Sequence, residues 1–270
     1  MTPSLEELLF TAESGARRSG AVLAERFEQQ RTVEFKGGID LVTDADHASE
    51  RELLGYLRSR HPSHSILSEE AGASSGDPIR WIVDPLDGTT NYSHRVAHFA
   101  VSVAVEGPDG LLAGAVYDPL RDELFSAAKG HGAHLNGKPI KASDVDSLEY
   151  ALLCTGFPYD VREKPQAPVG LFTRFIMRAQ GIRRFGSAAL DLAYVAAGRF
   201  DGFFEFGLKA WDVAAGALLV SEAGGVITCI DGSPLNLQRG DLMASNRPIQ
   251  PTLRRECAAF LDEIGWKPAV

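Results

Sequence analysis

The sequence predicts a mixed α/β (α+β) fold in two halves, and two patterns along the chain indicate it. Between residues 99 and 130, three strand-length runs follow one another: FAVSVAVE, LLAGAVYDP and DELFSAAKG. GPDG at 107–110 is a hairpin signal between the first two. After residue 150, strand-like and helix-like runs alternate, which favours an α/β arrangement. We therefore expect an N-terminal half over residues 1–147 with an antiparallel sheet, and a C-terminal half over residues 148–270.

Composition and charge limit the class of protein. The chain has 270 residues, of which 44% are hydrophobic and 23% charged, values typical of a globular protein with a sizeable core. Its net charge of −9 argues against direct binding to nucleic acid or to an anionic membrane. No apolar run reaches the ~18 residues of a membrane span, and the first twenty residues lack a signal-peptide pattern. The three widely spaced cysteines favour reduced thiols, and hence the cytoplasm, over disulfides or a zinc site.

The first part of the chain predicts two helices. An apolar stripe runs through residues 4–29, and Ser4 and Glu7 have the spacing of a capping box. Asp44 is placed to cap a second helix that runs to His61.

Short strands are predicted between these helices and after the second one. Between them, VEFKGGIDLVT predicts strand segments around a Gly37-Gly38 turn. Much later in the chain, Asn136-Gly137 is a second turn signal. HSILSEE (64–70) and RWIVDPLDG (80–88) are strand-like runs that end in carboxylates.

The C-terminal half adds more helices. LFTRFIMRAQG (171–181) and TLRRECAAFLDEI (252–264) are helical runs. SAALDLAYVAAG is a helix closed by Gly198, and WDVAAGALLVSEAGG is one closed by Gly224 or Gly225. The small residues of WDVAAG predict close packing of this helix on the sheet.

Acidic residues at the ends of apolar runs point to a cation site. They are Glu69, Glu70, Asp84, Asp87 and Asp212. Oxygen ligands without nearby Cys or His favour Mg²⁺ or Mn²⁺ over Zn²⁺; ligand type also allows Ca²⁺, although no EF-hand loop is present. The simpler alternative is that each acid caps a helix or faces water.

Gly88-Thr89-Thr90, directly after Asp87, fits a phosphate-binding turn. A glycine before two hydroxyl residues suits a tight turn into a helix, whose first N–H groups can bind phosphate oxygens. Plain helix capping is the alternative. Carboxylates for a metal beside a phosphate cradle would together make a phosphoryl-transfer site.

Several motifs together resemble the inositol monophosphatase family. They are DPLDGTTN (84–91), WDVAAGALLVSEAGG (211–225), SEE (68–70) and DLVTDAD (40–46). This family belongs to a lithium-sensitive, Mg²⁺-dependent phosphatase superfamily with the fructose-1,6-bisphosphatases and 3′-phosphoadenosine 5′-phosphate phosphatases. Residues 183–212 most resemble the bacterial members. The resemblance implies a layered αβαβα sandwich, with the site between its halves, and a homodimer.

The resemblance also assigns roles to individual residues. The implied ligands of two or three Mg²⁺ ions are Glu69, Asp84, the backbone carbonyl of Leu86, Asp87 and Asp212. The implied catalytic residues are Thr89 paired with Asp46, which activate water, and Glu70, which holds water nearby. Lys36 matches a lysine close to the family site, or is a solvated loop residue.

Substrate contacts are implied on both halves. The implied substrate-binding residues are Asp87, Gly88, Thr89, Gly186, Ser187, Ala188, Glu205 and Asp212. Glu205 matches the acid that binds inositol ring hydroxyls, and the segment 186–188 matches backbone beside the substrate. TGFPYD at 155–160 departs from animal members, which carry serines there, so no hydroxyl contact is carried over.

The resulting prediction is a phosphomonoesterase that releases phosphate from inositol 1-phosphate. Histidinol phosphate, fructose 1,6-bisphosphate and 3′-phosphoadenosine 5′-phosphate remain alternative substrates, because the metal carboxylates are common to all these enzymes. A protein-binding, regulatory role in RNA metabolism is the alternative from another class.

Overall fold

The structure, a computed structural model, describes residues 3–29, 33–37 and 40–268; for 33–37 and 40–41 it describes the backbone only. Gly38 of the predicted turn and the Lys36 side chain therefore lie outside the described part. The helices are α1 (Leu5–Arg26), α2 (Asp44–Arg60), α3 (Thr89–Ser93), α4 (Gln166–Ile176), α5 (Ala188–Ala196), α6 (Ala210–Glu222) and α7 (Gln250–Glu263), with a 3₁₀ turn at Leu148–Tyr150.

The strands form two larger sheets and one hairpin. They are β1 (Val33–Gly37), β2 (Asp40–Thr43), β3 (His64–Ser68), β4 (Gly72–Ser74), β5 (Asp77–Asp87), β6 (Ala100–Gly107), β7 (Gly110–Asp118), β8 (Glu123–Ala128), β9 (Ala133–Leu135), β10 (Lys138–Ile140), β11 (Leu152–Thr155), β12 (Gly181–Arg183), β13 (Gly202–Glu205), β14 (Val226–Thr228) and β15 (Leu242–Ser245). β1 and β2 pair only with each other within the described chain.

Helices and sheets stack in five layers. The eight-stranded first sheet has the order β10-β9-β8-β7-β6-β5-β3-β4, and the five-stranded second sheet has the order β12-β11-β13-β15-β14. α1 and α2 bury Leu8, Leu23 and Leu53 against the outer face of the first sheet. α5 and α6 fill the space between the sheets, and α4 and α7 cover the far side of the second. The predicted αβαβα architecture is confirmed.

The central strands of the first sheet are apolar on both faces because helices cover both. β6 is almost wholly buried, so its sequence does not alternate. The predicted hairpin at 107–110 is confirmed, with Gly107 paired to Gly110. Asn136 and Gly137 adopt φ of 49° and 75° and join β9 to β10, the geometry that Asn-Gly favours in a two-residue hairpin.

Three details differ from the sequence prediction. Asp44 does not cap α2; Thr43 does, because its hydroxyl accepts hydrogen bonds from the N–H groups of Ala45 and Asp46. α4 ends at Ile176, five residues before the predicted Gly181. The first sheet is also not wholly antiparallel, since β3 runs parallel to β5. No helix in the described part of the chain is long and apolar enough to cross a membrane.

Candidate active site

The acidic chain segments meet at one cleft. β3 and β5 are parallel neighbours with Ser68 opposite Val83, so Glu69, just beyond β3, and Asp84 of β5 lie side by side at the same edge of the sheet. α6 approaches the same edge and carries Asp212 in its first turn. The predicted site residues that line this cleft of about 340 Å³ are Glu69, Asp84, Leu86, Asp87, Gly88, Thr89, Gly186, Ala188, Glu205 and Asp212.

A β-bulge explains why Asp84 and Asp87 face one cleft although they are three positions apart. In a regular strand that spacing puts two side chains on opposite faces. Here Asp84 pairs with Ser102 and Asp87 with Ala100, so β5 holds one residue more than β6 between these pairs. The extra residue lies in the Pro85-Leu86 segment, where proline has no N–H for the ladder. The bulge turns both carboxylates to the same side.

Hydrogen bonds from the protein hold one oxygen of Asp84 and Asp87, which are buried, and of Asp212, which is half-buried. Asp84 Oδ1 accepts from the Leu86 N–H at 2.9 Å, and Asp212 Oδ2 from the Lys209 N–H at 2.7 Å. Asp87 Oδ2 accepts from the Ser187 hydroxyl at 2.6 Å and from the Ala189 N–H at 2.7 Å. Within the described residues, these bonds engage only one oxygen of each carboxylate and fix its orientation.

The carboxylates raise one another's pKa. Burial raises the pKa of Asp84 and Asp212 well above the ordinary value, and repulsion from neighbouring acids adds to it. Burial raises the pKa of Asp87 to about 6, although the Ser187 and Ala189 hydrogen bonds oppose it. The Lys209 N–H and the Lys209 charge lower the pKa of Asp212, but less than burial and Asp87 raise it. Buried like charges of this kind are costly unless cations or protons compensate them.

The donor set fits a hard divalent cation. Its atoms are carboxylate and carbonyl oxygens, as Mg²⁺ prefers, and Cys or His side chains are absent from the described lining. The described residues contain no preassembled group of three or more metal-binding side chains, so the fit rests on donor chemistry and burial. Glu69, Asp84, Asp87 and Asp212 could hold the ions together with the Leu86 carbonyl.

Thr89 and Asp46, the predicted catalytic pair, are hydrogen-bonded to each other. The Thr89 hydroxyl donates to Asp46 Oδ1 at 3.1 Å and lies 3.1 Å from the Leu86 carbonyl oxygen. Asp46 Oδ2 accepts from the Thr43 N–H at 2.8 Å and from the Thr43 hydroxyl. Burial raises the pKa of Asp46 to about 6 against the lowering effect of those Thr43 bonds. Glu70 is half-buried close by, and its charge contributes to this shift.

The segment that the sequence predicts to bind phosphate is a single tight turn. Gly88 precedes α3 with φ of 101°, a left-handed conformation that favours glycine. α3 is only five residues long, so its dipole is small. Any phosphate here would therefore be bound by individual N–H groups of the turn.

The C-terminal half supplies the opposite wall of the cleft. Burial raises the pKa of Glu205 well above its ordinary value, and the charge of Asp191 adds to this while Arg184 opposes it. Gly186 and Ala188 line the cleft, whereas the Ser187 hydroxyl is buried against Asp87.

Sequence reasoning missed several residues of the site. The Asn91 side-chain amide donates to the carbonyls of Phe185 at 2.7 Å and His98 at 2.8 Å, which ties the two halves together. Its place in the DPLDGTTN motif was the available signal. Phe157, Pro158 and Tyr159 of the departing TGFPYD segment also line the cleft.

Comparison with known proteins decides the family. The model of the inositol monophosphatase family matches residues 4–263. This chain belongs to the inositol monophosphatase family. As the motifs predicted, bacterial members of the family are similar along almost the whole chain.

Two solved structures and one curated protein illustrate the similarity. A Nus factor SuhB from Escherichia coli (strain K12) is 42% identical over 246 residues, which cover 90% of this chain and 92% of that protein. An inositol monophosphatase from Anabaena (Nostoc) sp. PCC 7120 is 41% identical with a TM-score of 0.87, covering 97% of this chain and 99% of that one. The extragenic suppressor protein suhB from Bartonella henselae is 37% identical with a TM-score of 0.88, covering 93% and 98%.

Membership of the inositol monophosphatase family supports phosphatase chemistry for this chain. The family is generally Mg²⁺-dependent, in agreement with the oxygen donors of the cleft.

Proposed function

We propose that this protein is an Mg²⁺-dependent phosphomonoesterase that hydrolyses inositol 1-phosphate to inositol and phosphate. The observation that carries the proposal is the meeting of Glu69, Asp84, Asp87 and Asp212 at one cleft beside the Gly88-Thr89 turn. Four acids need cations, and the N–H groups of a tight turn into a helix suit an anion. A phosphate ester joined to divalent cations satisfies both requirements.

The ions would be held by Glu69, Asp84, the Leu86 carbonyl, Asp87 and Asp212, with two or three Mg²⁺, or Mn²⁺, per site. When bound, these ions would lower the pKa of the attacking water and neutralise charge on the phosphoryl oxygens. Because the hydrogen bonds of the described residues engage one oxygen of Asp84, Asp87 and Asp212, the other oxygen of each would be available to a cation.

Thr89 and Asp46 would act on the water. Because the Thr89 hydroxyl donates its own proton toward Asp46, its lone pairs are available to accept a hydrogen bond from that water. The water proton passes toward this pair while the water oxygen bonds to phosphorus. The ester P–O bond breaks, and the alcohol leaves after taking a proton from solvent. Glu70, close to Asp46, would hold a further water.

The two walls of the cleft divide substrate recognition between them. The N–H groups of Gly88 and Thr89 would bind phosphoryl oxygens, with Asp87 and Asp212 nearby. Glu205 would accept hydrogen bonds from two hydroxyls of a polyol, beside the backbone of residues 186–188. This role of Glu205 favours inositol 1-phosphate over histidinol phosphate, fructose 1,6-bisphosphate or 3′-phosphoadenosine 5′-phosphate.

Phosphate release from these four esters, with Mg²⁺ and with EDTA, tests the proposal. We expect Mg²⁺-dependent release, fastest from inositol 1-phosphate. The Glu205→Gln variant should lose this preference while it keeps activity on other esters. Release led by another ester would overturn the substrate assignment, and release that EDTA leaves unchanged would overturn the metal chemistry.

We also propose a second, regulatory role in RNA metabolism through protein partners. The support is the similarity to a relative that is named a Nus factor. Recovery of transcription proteins with the tagged, full chain at physiological salt is the expected result. Failure to recover any would contradict it.

We further propose a cytoplasmic homodimer; the three cysteines are buried and free, which suits a reducing compartment.

A further inference from the structure

Three polar side chains form one buried face of α2. Asp46, Ser49 and Glu50 have the i, i+3, i+4 spacing that places side chains on the same side of a helix. Their exposed fractions are 1%, 0% and 8%, although α2 is an outer helix and most of its charged residues face solvent. Buried polar side chains require partners, and each of these three has one in a different loop of the cleft.

The partners are the loops that carry the proposed ligands. Asp46 accepts from Thr89, in the turn after Asp87. The Ser49 hydroxyl donates to the Pro85 carbonyl at 2.8 Å, inside the bulge between the two aspartates of β5. The third contact is made by Glu50.

Glu50 holds both ends of the Glu69-Glu70 turn. Its Oε1 accepts from the Ser68 hydroxyl at 2.5 Å and from the Ala71 N–H at 2.8 Å. Ser68 immediately precedes Glu69 and Ala71 immediately follows Glu70, so one carboxylate oxygen clamps the two glutamates between its donors. Such charge-assisted bonds are short and strong. Glu50 itself does not line the cleft.

We propose that Glu50 is a positioning residue for metal binding, and that the Asp46, Ser49 and Glu50 face of α2 sets the relative positions of the ligand loops. The inference rests on the proposed function of the cleft. A purely structural role would change the stability of the fold. A positioning role also changes metal affinity, because groups behind a metal ligand typically alter affinity by about 10- to 100-fold.

The test measures metal affinity directly. EDTA-stripped protein is titrated with Mg²⁺ and with Mn²⁺ by calorimetry, and circular dichroism in EDTA monitors folding. We expect Glu50→Ala to weaken binding by about 10-fold or more. Glu50→Gln should retain most of the affinity, since its amide oxygen can accept the same two hydrogen bonds. Glu52→Ala is the matched control, because Glu52 is on the same helix but pairs with Arg18 at the surface. The metal affinity of this variant should be unchanged.

Several outcomes would overturn the inference. A folded Glu50→Ala protein with wild-type affinity would do so, as would a Glu50→Gln protein that loses as much affinity as Glu50→Ala. If Glu50→Ala fails to fold, Ser68→Ala removes one donor to Glu50 instead. Partial weakening is then expected, and unchanged affinity overturns the inference. Wild-type protein that binds neither metal would overturn the proposed function itself, whereas wild-type binding with unaffected variants overturns only the role of Glu50.

Discussion

Thr89 and Asp46 are 43 positions apart in the chain and are joined by a 3.1 Å hydrogen bond in which the threonine hydroxyl donates to the carboxylate. The other Asp46 oxygen closes the capping box of α2 with Thr43. Asp46 therefore connects the start of a helix on one side of the sheet to the first residue of α3, which follows the bulge in β5. Local helix capping fixes the direction in which this carboxylate points.

Thr89→Ala should reduce kcat by about 100- to 10,000-fold, the range expected for loss of proton transfer. KM should change little, because the backbone N–H groups remain. Thr89→Ser keeps the hydroxyl and should retain most of the rate. Steady-state kinetics at saturating Mg²⁺ measures both variants, and equal rates for Ala and Ser would contradict a role for the hydroxyl.

Asp87→Asn should remove most activity, by ~100-fold or more, and leave the fold intact. An amide can still accept the Ser187 and Ala189 hydrogen bonds, but it no longer carries the charge that attracts a cation. Phosphate release and circular dichroism check the two parts of this prediction. Asp144→Asn, at an exposed aspartate paired with Lys141, is the control and should behave as wild type. Unchanged turnover in Asp87→Asn would refute the metal mechanism.

Mg²⁺ should raise the melting temperature of the wild-type protein, because a ligand that binds only the native state stabilises it by about 2.7 kcal/mol at 100 times its dissociation constant. Asp87→Asn should show a smaller shift. Glu205→Gln should keep the full shift, since Glu205 is assigned to substrate and not to metal. Differential scanning fluorimetry with and without EDTA measures this, and loss of the shift in Glu205→Gln would reassign that residue.

His98 should make the protein less stable in mild acid. Burial, supported by the Arg121 charge, lowers its pKa to about 4 in the fold, whereas the unfolded chain has the ordinary value of 6.5. The unfolded state thus binds the proton more readily. The contribution of the neutral His98 to stability is complete above pH 6.5 and is lost as the pH falls toward about 4.

This difference in the pKa of His98 lowers the free energy of unfolding by about 2 kcal/mol when the pH falls from 7.5 to 5. Urea unfolding in EDTA at both pH values measures it. His98→Gln lacks the titrating group, whereas the buried acids titrate in both proteins. Between pH 7.5 and pH 5 the free energy of unfolding of the wild type should therefore decrease, relative to that of His98→Gln, by about that amount. Parallel changes in the two proteins would show that His98 does not contribute.

Gly114→Val should destabilise the fold by about 1–3 kcal/mol, the usual cost of overpacking. A Cβ atom at this position of β7 would lie 3.1 Å from the Ala215 Cα, so α6 would have to move away from the sheet. Because α6 carries Asp212, the variant should also bind Mg²⁺ more weakly. Gly55→Ala is the control, since a Cβ there meets nothing within 4 Å. Denaturant unfolding and calorimetry measure the two effects, and a Gly114→Val protein as stable as wild type would contradict close packing.

The sequence predicted most elements because their signals are local. The Asn136-Gly137 hairpin needs only two residues that tolerate positive φ, and the apolar strands of the first sheet are recognisable by composition. The end of α4 and the parallel pairing of β3 with β5 depend on contacts made elsewhere in the chain. The cap of α2 is a different case, because it is local: Thr43 and Asp46 form a capping box, and the prediction placed the cap one residue too late, at Asp44.

The sequence by itself determined which residue types could hold cations and phosphate. Carboxylates after apolar strands can bind cations, and a Gly-Thr-Thr turn can bind phosphate, and both are recognisable from residue type and order alone. Only the tertiary structure decided how they meet. The bulge in β5 brings Asp84 and Asp87 to one side, and the approach of α6 adds Asp212 from the other half. Glu50 had no local signal, since a glutamate in a helix is normally solvated. Its burial against Ser68 and Ala71 depends on how α2 packs on the sheet, which is a long-range consequence of folding.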